Sequence, residues 1–359
     1  MRLLATIVLL LGAGVSVAFG QTSWPNQREA DFVLKNFRFG SGETLAELRI
    51  HYVTIGTARK NAAGDIVNGV LLLHGTSGSS ASWLNPTLAN ELFAKGQPLD
   101  ASQYFLVIPD GIGAGRSSKP SDGLRGAFPH YRYRDMVEAQ HRLVTEALGI
   151  RHLRLVLGTS MGGMQTWMWG EMYPDFMDGL VPLASQPVAM SGRNWMTRRI
   201  RIEAIRNDPD WNGGNYEKNP TRYVYTLPLA SLMTESAVRL QEMASTREAA
   251  DELYKRLVDE ARKNDANNQL YAIEAVMDYD PSRDLEKIRA RLLAINFADD
   301  ELNPPELGVM EPAIRRIPHA SHVIVPAGPE THGHYTYFRA ALWKAHVAAF
   351  MNTVEAIQE

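Results

Sequence analysis

Gly158-Thr159-Ser160-Met161-Gly162 is the stretch of sequence that decides the fold. It follows an apolar run at 153–157, which has the pattern of a buried strand, and it precedes a helical pattern at 163–172. Glycines on both sides of Ser160 permit a sharp turn from strand to helix, where a larger side chain would clash. The pattern therefore predicts a turn that projects the Ser160 hydroxyl oxygen, Oγ, as an exposed nucleophile.

Short apolar runs with strand character recur on both sides of this turn. They lie at 48–55, 69–73, 104–108, 153–157, 179–183, 292–297 and 322–325. Helical patterns separate several of them, at 131–148 and, near the C-terminus, at 335–354. Continuous apolar runs suit strands that are buried on both faces of a sheet. The alternation predicts an α/β protein with a doubly wound, mostly parallel sheet.

Residues 186–288 interrupt the alternation. They contain helical patterns, such as 235–261, but no convincing strand, and roughly one hundred residues are too many for an ordinary connection. We therefore expect a helical insertion over the sheet, and we use that name for 186–288 below. Its aromatic and methionine side chains would suit the roof of a pocket: Met190, Trp195, Met196, Trp211, Tyr216, Tyr223, Tyr225 and Met233.

The N-terminus has the pattern of a secretory signal peptide. Met1-Arg2 is followed by an apolar run at 3–15, and Ala18-Phe19-Gly20 places small residues before a cleavage point. An uncleaved anchor is the alternative, but the apolar run is shorter than the roughly 20 residues that span a bilayer. We expect a periplasmic or secreted protein without a membrane span. Its parts are then a signal peptide (1–20), a first core part (21–185), the helical insertion (186–288) and a second core part (289–359).

Composition excludes several classes of function. Of the 359 residues, 45% are hydrophobic, which is enough for a large core, and 37 basic against 40 acidic residues give a net charge of −3. That balance provides no basic surface for nucleic acid or an anionic membrane. The absence of cysteine excludes disulfides, a thiolate nucleophile and Cys-ligated zinc or iron–sulfur clusters. We expect a small-molecule substrate, no cofactor and no metal, and a homodimer stays open.

A serine nucleophile needs a base, and the base needs an orienting carboxylate. Asp299, Asp300 and Glu301 follow the strand pattern that comes after the insertion. Asp300 fits best. In enzymes with a serine nucleophile on a strand-to-helix turn, the loop that carries the acid usually reads Asp, any residue, aliphatic, any residue, Pro. Leu302 and Pro304 stand at the spacing from Asp300 that this pattern requires. Asp299 is the alternative, whereas Glu301 is interpreted as a solvated charge.

The base is expected just before the C-terminal helical pattern. Gly333-His334 stands there, so we assign His334, with His332 as the alternative. The two histidines could instead form a metal pair. No other histidine sits at an obvious ligand spacing, however, and the nearby acidic loop already has a role.

Two backbone N–H groups are candidates to hold a negatively charged reaction intermediate. One follows the nucleophile, at Met161, and the other lies in the loop after the strand pattern 69–73, at Thr76. The glycine-rich stretch 110–118 superficially resembles a dinucleotide-binding loop, but no helix pattern follows it. We interpret it as a loop beside the active site.

The string G-T-S-M-G-G-M-Q at 158–165 resembles the homoserine O-acetyltransferase branch of the α/β-hydrolase superfamily. Further similar stretches are 128–129, 135–140, 148–150, 173–175 and 204–209, and the resemblance covers roughly residues 48–350. It implies an α/β-hydrolase fold with a helical lid inserted after the sixth strand. It also implies Ser160 as nucleophile, Asp300 as acid and His334 as base.

The sequence departs from that branch at several positions. The resemblance implies an Ala-Arg pair in the lid that faces the amino-acid substrate, but this chain has no arginine between 223 and 230. The resemblance also implies an Asp after the base, whereas Tyr335 follows here. The predicted signal peptide would also export the protein from the cytoplasm, where acetyl-CoA is found. The resemblance therefore favours an exported hydrolase that cleaves an ester; an acyltransferase and a binding protein on the same scaffold are the alternatives.

The basic residues of the insertion bear on its substrate. Arg198, Arg199, Arg201 and Arg206 are interpreted as a solvated helix face, and Arg222 as an open candidate for substrate contact. Together with the aromatic and methionine content, this predicts a pocket that prefers a neutral ester.

Overall fold

The computed structural model describes residues 24–76 and 78–355. The predicted signal peptide lies outside these residues. Within them, eight strands form a single sheet in the order β1-β2-β4-β3-β5-β6-β7-β8. The strands are β1 (Arg28–Arg38), β2 (Thr44–Ile55), β3 (Gly69–Leu73), β4 (Phe105–Pro109), β5 (Leu153–Thr159), β6 (Met177–Leu183), β7 (Arg291–Phe297) and β8 (Ala320–Val325).

The sheet is parallel from β4 through β8 and has an antiparallel hairpin at one edge. The hairpin consists of β1 and β2, and β2 pairs antiparallel with β4. The central strands β3 and β5 are buried along their whole length, as continuous apolar runs predict for strands covered on both faces. The predicted doubly wound, mostly parallel sheet is confirmed.

Helices cover both faces of the sheet. They are α1 (Ser80–Trp83), α2 (Pro86–Leu92), α3 (Tyr133–Arg142), α4 (Met161–Met172), α5 (Gly192–Arg206), α6 (Thr221–Thr226), α7 (Ser231–Thr234), α8 (Ala237–Met243), α9 (Arg247–Lys263), α10 (Ala266–Glu274), α11 (Met310–Ile314) and α12 (Lys344–Glu355). None of the helices in the described part of the chain is both long and apolar enough to cross a membrane.

The helical insertion connects β6 to β7. Its described residues form only helices and short 3₁₀ turns, from α5 to α10, and they have a small core of their own. That core contains Ile202, Ile205, Tyr223, Val258 and Leu270. The insertion is tied to the main body by the Tyr271 hydroxyl, which donates to the Gly126 carbonyl over 3.0 Å. Its exact limits at 186 and 288 stay a prediction.

Before the C-terminal region, the observed secondary structure differs from the prediction in three elements. The sequence did not predict β1, because most of its side chains are exposed at the sheet edge and give no apolar run. The predicted helix 235–261 is broken into α8 and α9, since Thr246 caps α9 with its side chain and ends the continuous pattern. The predicted helix 131–148 consists of α3 followed by a π-helical turn, Leu143–Ala147.

The predicted C-terminal helix 335–354 is also wrong in its first half. Residues Gly333–Phe338 and Ala340–Leu342 form 3₁₀ turns, and the α-helix begins only at Lys344. Arg339 interrupts the helical backbone, and the Trp343 indole N–H donates to the Tyr337 carbonyl over 3.2 Å. This tighter path directs Tyr335, Tyr337 and Phe338 toward the cavity described below.

Candidate active site

Ser160 occupies a strained turn between β5 and α4. Its backbone has φ 55° and ψ −113°, a conformation that is rare for a residue with a side chain. The turn is held by the Ser160 N–H, which donates to the Leu183 carbonyl of β6, and by the Met164 N–H, which donates to the Ser160 carbonyl, both over 2.9 Å. The predicted sharp turn is therefore present, and it lies at the carboxyl end of the parallel strands.

The two glycines of the turn are required by close packing. A Cβ atom on Gly158 would overlap the backbone of Gly162, and one on Gly162 would overlap the Leu73 carbonyl of β3. Because backbone atoms on both sides fix these positions, neither clash could be relieved by rotating a side chain.

Replacing Gly158 with Ala tests this packing. We expect Gly158→Ala to lower the free energy of unfolding by about 3 kcal/mol, since the added methyl group displaces the first turn of α4. Urea unfolding measures the change. Gly328→Ala is the matched control, because nothing lies within 4 Å of a Cβ at that position. Equal stability of the two variants would contradict the packing argument.

A hydrogen-bonded relay joins Ser160 to Asp300 through His334. The distance from Ser160 Oγ to His334 Nε2 is 2.8 Å, and that from His334 Nδ1 to Asp300 Oδ2 is also 2.8 Å. His334 and Asp300 are only 3% and 1% exposed. A buried carboxylate facing Nδ1 favours the ring tautomer with its proton on Nδ1, which leaves Nε2 free to accept the Ser160 proton.

The acid loop orients Asp300 through its own backbone. Asp300 Oδ1 accepts hydrogen bonds from the N–H groups of Leu302 (2.8 Å) and Asn303 (3.2 Å). The Asn303 side-chain amide donates to Asp300 Oδ2 and to the Ala184 carbonyl, both over 3.0 Å. Asn303 was not singled out from the sequence, and only its position in the loop could have suggested this contact.

The competing residues have other partners. Asp299 Oδ2 accepts from the Thr331 hydroxyl (2.7 Å) and the Gly333 N–H (3.1 Å), so it braces the loop that carries His334. Glu301 is paired with Arg193 over 2.6 Å at the surface. The His332 N–H donates to the Thr336 hydroxyl over 2.8 Å, and it is His334 that the structure places against Ser160.

Thr76 and Met161, whose N–H groups the sequence proposed as oxyanion donors, are close to Ser160. Met161 is the first residue of α4, and the first N–H groups of a helix have no partner within it. Thr76 lines the same cavity as Ser160 and follows Gly75, where a Cβ atom would come within 3.4 Å of the Ser160 Cβ. Both positions suit donors to a developing oxyanion, a role that stays a prediction.

His74 fixes the loop that carries Thr76. Its Nδ1–H donates to the Gly75 carbonyl, and its Nε2 accepts from the Gly111 N–H, both over 2.8 Å. Burial lowers the pKa of His74, which favours the neutral ring that these two bonds require. The loop is thereby connected to the glycine-rich stretch 110–118, as expected for a loop beside the active site.

A cavity of about 270 Å³ opens above Ser160 and His334. The apolar part of its wall includes Trp83, Leu88, Met233, Tyr337 and Phe338. Helix α5 contributes four polar side chains to the wall, those of Asn194, Thr197, Arg198 and Arg201. The volume suits a small ester or acyl compound.

Residues 68–333 match the family described as alpha/beta hydrolase fold. The chain belongs to the α/β-hydrolase family. Among its relatives is a probable acyltransferase of Methanothermobacter thermautotrophicus, 33% identical over 82% of this chain and 89% of the relative. A homoserine O-acetyltransferase of Methanohalobium evestigatum is 30% identical over 74% of this chain and 61% of the relative. The predicted homoserine O-acetyltransferase-like branch is confirmed, and the protein is an enzyme.

The fold of this α/β-hydrolase is also that of a solved esterase. The crystal structure of esterase E22 superposes with a TM-score of 0.78 over 90% of this chain and all of that structure, at 19% sequence identity. At that identity the likeness concerns the fold alone.

The cavity of the hydrolase differs from the predicted one in its roof. Of the aromatic and methionine residues singled out in the insertion, only Met233 is among those that line it. Arg198 and Arg201, interpreted as solvated, line it instead. The signal that could have found them is their spacing, because 194, 197, 198 and 201 share one face of a helix.

The other arginines of the insertion do not face the cavity. Arg199 pairs with Glu203 along α5, and Arg206 pairs with Glu274 over 2.7 Å. Arg222 donates to the Asn207 carbonyl over 2.7 Å and is exposed. The interpretation as solvated residues fits Arg199 and Arg206, whereas Arg222 is placed away from the candidate site.

Proposed function

We propose that this protein is an exported serine hydrolase that cleaves a carboxylic ester through Ser160, His334 and Asp300. The observation that carries the proposal is the continuous relay from Ser160 Oγ to Asp300 Oδ2 at the bottom of a small cavity. Such a relay activates a hydroxyl that is otherwise a weak nucleophile at neutral pH.

The relay supports formation of an acyl-enzyme. The Ser160 proton passes to His334 Nε2 as Oγ attacks the ester carbonyl carbon, and Asp300 stabilises the resulting imidazolium. The N–H groups of Thr76 and Met161 donate to the oxyanion of the tetrahedral intermediate. Collapse of that intermediate breaks the ester bond, and the Nε2 proton goes to the leaving alkoxide to give the alcohol.

Water then completes the reaction. It loses a proton to His334 Nε2 as its oxygen attacks the acyl carbon, and a second tetrahedral intermediate forms at the same N–H groups. Its collapse returns the proton to Ser160 Oγ and releases the carboxylic acid.

Two features favour water as the acceptor. The predicted signal peptide would take the protein away from cytoplasmic acyl-CoA donors. The insertion also has no arginine at 223–230, where the acetyltransferases that the sequence resembles carry one. Transfer to an alcohol in competition with water requires that the acceptor be held against the acyl-enzyme.

The second candidate is an acyltransferase that shares the first half of this reaction. The names of the two sequence relatives, a probable acyltransferase and a homoserine O-acetyltransferase, favour it. The two candidates differ only in the group that accepts the acyl moiety from Ser160.

An assay of product identity separates them. We expect the purified protein to hydrolyse 4-nitrophenyl esters without any CoA compound, and we expect added homoserine not to divert the acyl group from free acid. Mass spectrometry of the products, with Ser160→Ala as the control, measures both. Stoichiometric formation of O-acetylhomoserine from acetyl-CoA would replace this proposal with the acyltransferase.

A further inference from the structure

Two arginines of α5 bring positive charge into a cavity that lacks a negative partner. Arg198 and Arg201 stand three residues apart on one helix face and both line the cavity that contains Ser160. Among the described residues that line this cavity, none is Asp or Glu.

Arg201 is buried without an acidic partner. Arg201 is only 9% exposed, and its Nη2 donates to the neutral Gln269 Oε1 over 3.0 Å. Its Nε has no hydrogen-bond partner within the part of the chain that the structure describes. Burial, together with the neighbouring charge of Arg198, lowers the pKa of Arg201 to about 10, so the group is still protonated at neutral pH.

Arg198 is half-buried and also lacks an acidic partner. Its Nε donates to the Asn194 side-chain oxygen over 3.3 Å, while its Nη1 is buried and has no partner among residues 24–76 and 78–355. No carboxylate of the described residues lies within ion-pair distance of Arg198 or Arg201. Arg199 on the same helix, in contrast, faces outward and pairs with Glu203.

Such an arrangement is costly unless an anion enters the cavity. Removing a guanidinium group from water without a partner is energetically unfavourable, and buried polar groups are otherwise almost always paired. A guanidinium is also the side chain best suited to bind a carboxylate, through two parallel N–H···O bonds.

We propose that Arg198 and Arg201 form a subsite for a carboxylate carried by the ester substrate. This inference rests on the proposed ester hydrolysis and names its substrate class: short esters that bear a carboxylate on the acyl or the alcohol side. Trp83, Leu88 and Met233 then contact the remaining apolar part of the molecule. The neutral-ester preference predicted from the sequence is replaced by this one.

Matched pairs of substrates test the subsite in the wild-type protein. For the acyl side, mono-(4-nitrophenyl) succinate is compared with 4-nitrophenyl butyrate; for the alcohol side, 3-acetoxypropanoate is compared with propyl acetate. Each pair differs mainly in the carboxylate. We expect kcat/KM to be at least about tenfold higher for the anionic member of one pair, and the pair that responds identifies the side that carries the charge.

Variants then assign the preference to the two arginines. We expect Arg198→Gln and Arg201→Gln each to lower kcat/KM for the anionic ester by about 10- to 100-fold and to change that for its neutral partner by less than about threefold. Arg199→Gln is the control on the same helix and should leave both values unchanged. Thermal unfolding checks that each variant is folded.

Three outcomes would overturn the inference. In the first, the wild type hydrolyses neutral esters but prefers the anionic member of neither pair; the subsite then fails while the proposed hydrolysis stands. In the second, the arginine variants lose activity on both members of a pair equally, which indicates a structural role. In the third, no ester of either pair is hydrolysed, and the proposed function fails with the inference.

Discussion

We expect Ser160→Ala to lower kcat for ester hydrolysis by about 10⁴- to 10⁶-fold while the protein stays folded. Loss of a serine nucleophile removes the covalent route, and what activity remains comes from binding and from the oxyanion donors. The substitution deletes one oxygen atom. It leaves intact the backbone bonds from Ser160 to Leu183 and from Met164 to Ser160, which hold the turn. Steady-state kinetics with a 4-nitrophenyl ester measures the loss, and urea unfolding checks stability.

Chemical labelling checks the same assignment independently. A serine-directed phosphonate should add to Ser160 Oγ, and peptide mapping by mass spectrometry should locate the adduct there. Ser82→Ala is the matched control, because Ser82 is another serine that lines the cavity, where its Oγ accepts from the Ser79 N–H over 3.3 Å. An adduct on a different residue, or normal turnover by Ser160→Ala, would rule out Ser160 as nucleophile.

The second large effect is expected at the acid. Asp300→Asn should lower kcat by about 10⁴-fold, since an amide N–H₂ facing His334 Nδ1 favours the tautomer that cannot accept the Ser160 proton. In wild type, Asp300 Oδ1 accepts hydrogen bonds from the Leu302 and Asn303 N–H groups. In the variant only the oxygen of the new side-chain amide can accept these two bonds, and its N–H₂ group is then turned toward the His334 ring. The kcat of the purified variant, measured across pH, reports the loss of the base.

Asp299→Asn is the comparison that makes this prediction specific. Asp299 accepts hydrogen bonds from the Thr331 hydroxyl and the Gly333 N–H and does not bond to the His334 ring. Its replacement should therefore lower the free energy of unfolding by about 1 kcal/mol and lower kcat by less than about tenfold. If Asp299→Asn were the more damaging substitution, the role of the acid would move to Asp299.

Much of the fold could be predicted because its signals are local. Strands β3 to β8 appear in the sequence as apolar runs, and each prediction lies within two residues of the observed ends. The turn at Ser160 was predicted from two glycines whose lack of a side chain the packing requires. β1 was not predicted, because an edge strand with exposed side chains has no apolar pattern. The start of α12 was predicted too early, because contacts of Trp343, and not local preference, shape the 3₁₀ turns before it.

The sequence by itself determined the succession of strands β2 to β8 along the chain, the nucleophile turn and the set of residues from which the relay is built. The sequence favoured Asp300 but left Asp299 open, because the two are adjacent and chemically alike. The tertiary structure shows that the acid loop directs Asp300, and not Asp299, toward the His334 ring 34 positions away. The tertiary structure also decided that Arg198 and Arg201 face the cavity while Arg199 faces solvent. Helical spacing defines which side chains share a face, but the face that is buried depends on how α5 packs against α6 and α10, which follow later in the chain. Contacts of that range are set by the balance of packing across the whole molecule, which no short stretch of sequence contains.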